Sequence, residues 1–311
     1  MREVTTGQLT GPDRERVEAL ASAAAEADGH VPLSEEARLA VAHGRSGSTH
    51  LIEHGAAGAV LGYAYVGVPD AADPAAAGAA PGRSCELVIT PEARGAGLGT
   101  LLARDALSAG ATRFWAHGAH PAARRVAAKL GLVESRELRL LEISGWTASA
   151  LSPKPPSGIA VRAFQPGQDE DAWLALNAAA FAHHPEQGQW TRADLAERLR
   201  EPWFDPAGFF LAERTGAKGG HELIGFHWTK THAAGEYAEE PVGEVYVLGV
   251  SPAAQGIGLG RVLLHTGMAY LSARGLRTVI LYVDGDNTSA VRLYEGAGFR
   301  TRSADLEYRV R

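Results

Sequence analysis

The sequence predicts an α/β chain made of two copies of one unit, each a mixed β-sheet flanked by helices. Three observations carry this expectation. With Pro91 placed over Pro252, the run Leu87 to Gly99 lies over Leu248 to Gly260, and each reads apolar strand, proline turn, three alternating glycines and the start of a leucine-containing helix. Further on, Lys129-Leu130-Gly131-Leu132 lies over Gly296-Ala297-Gly298-Phe299. Between the copies, residues 144–158 (SGWTASALSPKPPSG) hold three prolines and polar spacers. Neither a helix nor a central strand continues through such a segment. It is read as a linker between domains 1–143 and 159–311. A length of 311 residues fits two domains at about 150 residues each.

Each element follows from local pattern. Asp13 to Ala27 is a helix, with Val17, Leu20 and Ala24 at helical spacing. THLIEH, AVLGYAYVGV and CELVIT are strands, and Pro/Gly/Ala-rich 69–83 is a loop between the last two. Leu101 to Leu107 is a helix, FWAH a short strand, and Ala122 to Leu130 a helix. In the second copy Asp169–Phe181 and Thr191–Arg200 are helices, with Thr191 and Asp194 as a cap. FFLAE and ELIGFHWTK are strands joined by a turn at TGAKGG, 215–220. EVYVLGV is a strand, Gly260–Arg274 a helix, TVILYVD a strand, and Thr288–Gly296 a helix.

Composition narrows the function. Hydrophobic residues are 45% and charged residues 21%, ordinary for a globular protein. A net charge of −6 argues against a general nucleic-acid binder. No run approaches the ~18 apolar residues of a membrane span, and the start lacks the apolar core of a signal peptide. The single cysteine, Cys85, excludes an internal disulfide and fits a reducing, cytoplasmic compartment. A monomer is one expectation, and the sequence leaves the oligomeric state open.

The glycine loops carry the chemistry. Arg94-Gly95-Ala96-Gly97-Leu98-Gly99 and Gln255-Gly256-Ile257-Gly258-Leu259-Gly260 each join a strand to a helix. Glycine lets backbone approach an anion closely, and the first-turn amides of the helix lack internal partners. With the helix dipole positive there, a pyrophosphate fits. No Lys-Ser/Thr pair follows either loop, so neither is a nucleoside-triphosphate loop. Thr100 and Arg261 stand where a dinucleotide fingerprint needs its last glycine.

A [QR]-x-x-G-x-G loop after an apolar strand, then Asn287-Thr288-Ser289-Ala290-Val291-Arg292-Leu293-Tyr294-Glu295-Gly296-Ala297-Gly298-Phe299, resembles the GCN5-related N-acetyltransferases (GNAT). The resemblance implies two tandem GNAT domains and acetyl-CoA as co-substrate. It implies pyrophosphate contacts from Gln255 to Arg261 (Gln255, Gly256, Ile257, Gly258, Leu259, Gly260, Arg261) and further cofactor contacts from Asn287 to Arg292. Leu248, Gly249 and Val250 would run beside the pantetheine. The first-half equivalents are Leu87, Val88, Ile89 and Arg94 to Gly99. Leu33-Ser34-Glu35, His184-Pro185-Glu186-Gln187-Gly188, Gly225 to Lys230 and Gly243 to Val250 also resemble a tandem branch of that family. That branch acetylates the cysteine amine of Cys-GlcN-inositol, a pseudo-disaccharide amine. By this resemblance Glu35, Glu186, Lys230, Glu244 and Tyr282 would line the acceptor pocket, with the register between Glu35 and Glu36 open.

Acyl transfer to an amine needs a base for the ammonium and an acid for the leaving thiolate. Glu244, on the strand before the second loop, is the candidate base. Tyr294, where the family places a tyrosine, is the candidate acid. The repeat alignment sets Arg83 against Glu244, Ala127 against Tyr294 and His120 against Asn287. Neither Arg83 nor Ala127 can do those jobs, so the second domain is expected to be catalytic. Three roles stay open for the first: holding acetyl-CoA, shaping the acceptor pocket, or stabilising the fold. The insert between His232 and Val242 either covers the site or forms a hairpin tip.

Other readings are weaker. His50 with His54, His117 with His120, and His183 with His184 form no HExxH pattern and have no cysteine nearby, so no metal is expected. Cys85 lies in an apolar strand beside Glu86 and reads as core. Trp173, Trp203 and Trp228 read as packing residues. A tandem acetyltransferase with another amine acceptor (an antibiotic or a peptide N-terminus) and a non-catalytic acyl-CoA sensor remain the alternatives.

Overall fold

A computed structural model describes residues 2–69, 82–146, 154–182, 187–215 and 220–311. The chain divides into two units: one holds 1–139, 284–286 and 303–311, the other 140–283 and 287–302.

The first unit begins with β1 (Arg2–Thr6), α1 (Gly11–Asp28), α2 (Glu35–His43), β2 (Thr49–His54), β3 (Val60–Val66) and β4 (Arg83–Ile89). It continues with α3 (Leu98–Ser108), β5 (Ala111–Ala116) and α4 (Pro121–Leu130). Helix α1 starts where Thr10 accepts the Asp13 amide, with Pro12 just inside the cap. Ser34 caps α2 in the same way. β6 (Val133–Ser144) begins in this unit. β12 (Arg300–Arg309) ends in it, and Leu306 to Arg309 pair antiparallel with Ala116 to Arg113 of β5. The sheet order is β1-β2-β3-β4-β5-β12, with β4 and β5 parallel. Strand alternation sends Ile52, Tyr63 and Tyr65 to the face covered by α1 and α2. Leu51, Ala64, Val66 and Cys85 go to the face covered by α3 and α4.

The second unit holds the end of β6, then β7 (Ile159–Ala163), α5 (Glu170–Ala180), α6 (Arg192–Arg198), β8 (Phe209–Thr215), β9 (His221–His232) and β10 (Val242–Val250). It is completed by α7 (Leu259–Ala273), β11 (Thr278–Asp284) and α8 (Thr288–Gly296). Its sheet order is β6-β11-β10-β9-β8-β7, and β10 and β11 are parallel. Thr191 and Asp194 form the expected reciprocal cap of α6. Trp173 and Trp228 are fully buried in an aromatic core with Phe209 and Phe226. Leu264, Met268 and Leu271 of α7 pack with Tyr294 and Phe299 around Val279 and Leu281 of β11.

Most expected elements form within a few residues of their bounds. The structure adds β1, α2, β6, β7 and β12 to the elements the sequence pattern predicts. The division into units runs through β6 and β12, whereas the proline-rich segment 144–158 begins only at the end of β6. Residues 147–153, most of loop 69–83, and 216–219 of the TGAKGG turn lie outside the described residues. β8 and β9 pair antiparallel on either side of that turn, from Thr215 opposite His221. Among the described residues, no helix is long and apolar enough to cross a membrane.

Candidate active site

The site in the second unit is set by where β10 leaves β11. Their pairing is Gly243 with Val279 and Glu244 with Ile280, although β10 runs on to Val250 and β11 to Asp284. Beyond Glu244 the two parallel strands part, while β10 stays paired with β9 along its other edge to Val250. The backbone groups of Leu248 to Val250 on the parted side therefore have no ladder to join. An extended ligand with amide groups can take that edge as a strand would.

The glycine loop closes the far end of this gap. Gly256 and Gly258 have φ of 80° and 83°, the left-handed region where a side chain is strained. Nothing lies within 4 Å of the place a Cβ would take at either. The loop is glycine for its conformation, and its surface is open. Gly258 caps α7 without any side-chain hydrogen bond, so the first-turn amides stay available to an anion. Gln255, Ile257 and Arg261 are exposed around it. Asn287 spends its side-chain oxygen on the Ala290 amide, 3.1 Å away, as the cap of α8. Thr288, Ser289 and Arg292 are exposed, and Ala290 and Val291 are half-buried.

Glu244 is buried, and Lys230 stands directly opposite it on β9. Its Oε2 lies 2.6 Å from Nε2 of His232. The Nδ1 of the same ring lies 3.0 Å from Oε2 of Glu236, out of line for a good hydrogen bond but close enough for an ion pair. Burial opposes charge on His232, but Glu236 and Glu244 outweigh it and raise its pKa. The Lys230 ammonium sits 4.5 Å above the Trp203 ring and 5.2 Å from that of Tyr246. Trp203, expected only to pack, thus carries a cation at the site. Tyr282 is half-buried, with its hydroxyl 3.4 Å from that of Tyr237. Tyr237 in turn lays its ring edge-on to His232 at 4.5 Å. Residues 236 and 237 of the β9–β10 connection therefore fold back onto the site. Tyr294 is buried on α8, and burial raises its phenol above the ordinary range, which keeps it protonated.

A bulge in β10 changes the repeat alignment. Val247 pairs with Trp228 but Val245 with Thr229, so Tyr246 is an extra residue. β4 has no such bulge opposite β3, where Ile89 pairs with Gly62 and Cys85 with Val66. Stepping down from Ile89 and Val250, Cys85 matches Val245 and Ser84 matches Glu244. The counterpart is Ser84 rather than Arg83. Arg83 instead donates to the carbonyls of Gly47, Val66, Gly67 and Ala109.

The first unit repeats the gap and the loop. β4 and β5 pair only as far as Glu86 with Trp115. Gly95 and Gly97 have φ of 81° and 86°, again with open space at the Cβ positions. A pocket lies there, lined by Leu87, Val88 and Ile89 of β4, Arg94, Gly95, Gly97 to Thr100, Trp115 to His117, and residues of α4 including Ala127. Arg94 forms a two-pronged ion pair with Asp28 at 2.6 and 2.8 Å. At the pocket wall His117 bridges Glu86 (3.1 Å) and Asp305 (2.8 Å). Burial disfavours its charge, but the two carboxylates push its pKa up to about 10. Ser34 adds its amide and hydroxyl to Glu86 at 2.6 and 2.5 Å. Glu35 is half-buried on α2 in this unit, and Glu36 accepts from the Tyr65 hydroxyl at 3.4 Å.

Glu186 and the His183-His184 pair lie outside the described residues. His50 is buried against the Tyr63 hydroxyl at 2.7 Å. His54 approaches Glu3 and Asp13, but Asp13 is engaged with Thr10 and Arg16 at the start of α1. Cys85 is fully buried, and its thiol pKa is raised by that burial and by Glu86. His232 and His117 were missed as site residues. The available signal was an acidic residue in an apolar strand, Glu244 or Glu86, which must find a partner when buried.

Residues 173–299 match the model of the acetyltransferase (GNAT) family. The chain is 50% identical over 303 residues to a mycothiol acetyltransferase of Thermobispora bispora, covering 96% of this chain and 97% of that one. It is 50% identical over 309 residues to one of Streptomyces avermitilis, covering 98% and 94%. Among solved structures, a GCN5-related N-acetyltransferase from Sphaerobacter thermophilus aligns with a TM-score of 0.70 at 22% identity, over 99% of this chain and 95% of that one. The tandem GNAT protein from the clavulanic acid biosynthesis pathway aligns with a TM-score of 0.70 at 15% identity, over 100% and 98%. The fold is thus that of tandem GNAT proteins, and at this identity over nearly its whole length the chain belongs to the mycothiol acetyltransferase family.

Proposed function

We propose that this chain transfers acetyl from acetyl-CoA to the cysteine amine of Cys-GlcN-inositol, giving mycothiol in the last step of its biosynthesis, and that the second unit does the chemistry. The observation that carries this reading is Glu244, a buried carboxylate at the point where β10 and β11 part, in a chain of this family. Acetyl-CoA supplies the acyl group as a thioester. The Gln255–Arg261 loop holds its pyrophosphate, and Leu248 to Val250 hold its pantetheine arm. Glu244 takes the proton that the acceptor ammonium must lose before its nitrogen can attack. Tyr294 donates a proton to the thiolate as the carbon–sulfur bond breaks. Lys230 and Tyr282 face the hydroxyl-rich acceptor as hydrogen-bond partners.

The first unit holds acetyl-CoA in its own loop, Arg94 to Gly99, without turning it over. Ser84 and Ala127 stand in the places of Glu244 and Tyr294 and supply neither base nor acid. The chain works in the cytoplasm as a monomer and needs no metal, nucleic acid or membrane.

The test is mass spectrometry of Cys-GlcN-inositol incubated with the protein and acetyl-CoA, with GlcN-inositol and free cysteine alongside. An acetyl group gained only by the full conjugate is the expected result. No gain, with acetyl-CoA still bound, removes this acceptor and leaves another amine to be found.

A further inference from the structure

A buried carboxylate needs a partner, because an unpaired buried charge is strongly destabilising. Lys230, directly across from Glu244, would be the obvious one, yet its ammonium lies over the Trp203 and Tyr246 rings. The partner is instead diagonal. His232 pairs with Val242 at the end of β9, two residues from the Lys230–Glu244 pair, and so shares their face of the sheet. Its ring is 1% exposed. Glu244 uses Oε2 on this ring, and Oε1 makes no hydrogen bond among the described residues.

We infer that His232 is a positioning residue for Glu244: it commits Oε2 and leaves Oε1 as the atom that meets the acceptor amine, with Glu236 holding the far side of the ring. The inference rests on Glu244 being the base. A ring with a carboxylate at each nitrogen serves both only when both nitrogens carry protons. The groups around it are Glu244 from β10, Glu236 and Tyr237 from the connecting segment, and Lys230 on its own strand. The connection between β9 and β10 thereby acquires a task. It delivers the second carboxylate and the Tyr237 ring that clamp the imidazole in place.

The experiment compares His232→Phe, His232→Gln, Glu236→Gln and Glu244→Gln in the full chain. For each, kcat and the separate KM values for Cys-GlcN-inositol and acetyl-CoA are measured, with thermal midpoints as the check on folding. His232→Phe should lower kcat by about 10²-fold, the cost of misplacing a reacting group by about 1 Å, with the KM for acetyl-CoA unchanged. His232→Gln, whose amide can still donate to Oε2, should recover most of that loss. Glu236→Gln should fall between His232→Phe and the native chain. If His232→Phe does not fold, the comparison of His232→Gln with His232→Asn, whose amide is one methylene short, replaces it and should favour Gln. Native kcat in His232→Phe, or equal losses in a folded Phe and Gln pair, would overturn the positioning role. An inactive Glu244→Gln beside such results leaves the base in place and removes only this inference. A fully active Glu244→Gln removes both.

Discussion

The chemistry proposed for Tyr294 depends on its staying protonated until the thiolate leaves. Burial on α8 does that by raising the phenol pKa. Tyr294→Phe removes one oxygen and leaves the packing against Phe299 intact. It should lower kcat by about 10²-fold with little change in the KM for acetyl-CoA or in thermal stability, as steady-state kinetics and a melting curve will show. An unchanged kcat would take the acid role from Tyr294. Glu244 and Tyr294, proposed as base and acid, were legible as candidates because Glu244 lies on the strand before a glycine loop and Tyr294 stands where the resembled family places a tyrosine. His232 was not. Its role comes from a cross-strand diagonal, and register of that kind depends on how β9 and β10 pair. The Arg83 alignment failed for the same reason. The bulge at Tyr246 adds one residue to one copy only, and nothing in the composition of EVYVLGV announces it.

At the scale of elements, the Glu86–His117–Asp305 bridge makes a pH-dependent contribution to the first unit. The native state raises the His117 pKa from 6.5 to about 10. The bridge therefore stabilises fully below about pH 6.5, weakens as pH rises, and is lost above about pH 10. Between pH 7 and pH 10 the thermal midpoint should fall further in the native chain than in His117→Gln, by an amount worth a few kcal/mol. Parallel curves for the two proteins would contradict the bridge. The central strands and the helices after the glycine loops were readable because their apolar period is strong. β1 and β7 are short edge strands, and β12 (RTRSADLEYR) is largely polar in sequence. Their strand character comes from a neighbour's ladder rather than from their own pattern.

At the scale of the whole molecule, the chain is not two consecutive beads. Its last nine residues belong to the first unit. Asp305 holds His117 there, and Leu306 and Tyr308 fill the core beneath α3 and α4. The repeat in the sequence showed two copies but could not show this return, because the returning strand carries no repeat motif. Ending the chain at Arg302 should destabilise the first unit and, under the proposal that its loop also holds acetyl-CoA, lower the bound count read by native mass spectrometry from two molecules to one. Two molecules bound by the shortened chain would contradict the topology. Glu244 of the second unit is proposed as the base for the transfer. Its most direct test is the rate at which native and Glu244→Gln chains acetylate Cys-GlcN-inositol, with bound acetyl-CoA counted in the same samples. The expected result is equal acetyl-CoA occupancy and a rate at least about 10²-fold lower in the variant. Acetylation by Glu244→Gln at the native rate would contradict it.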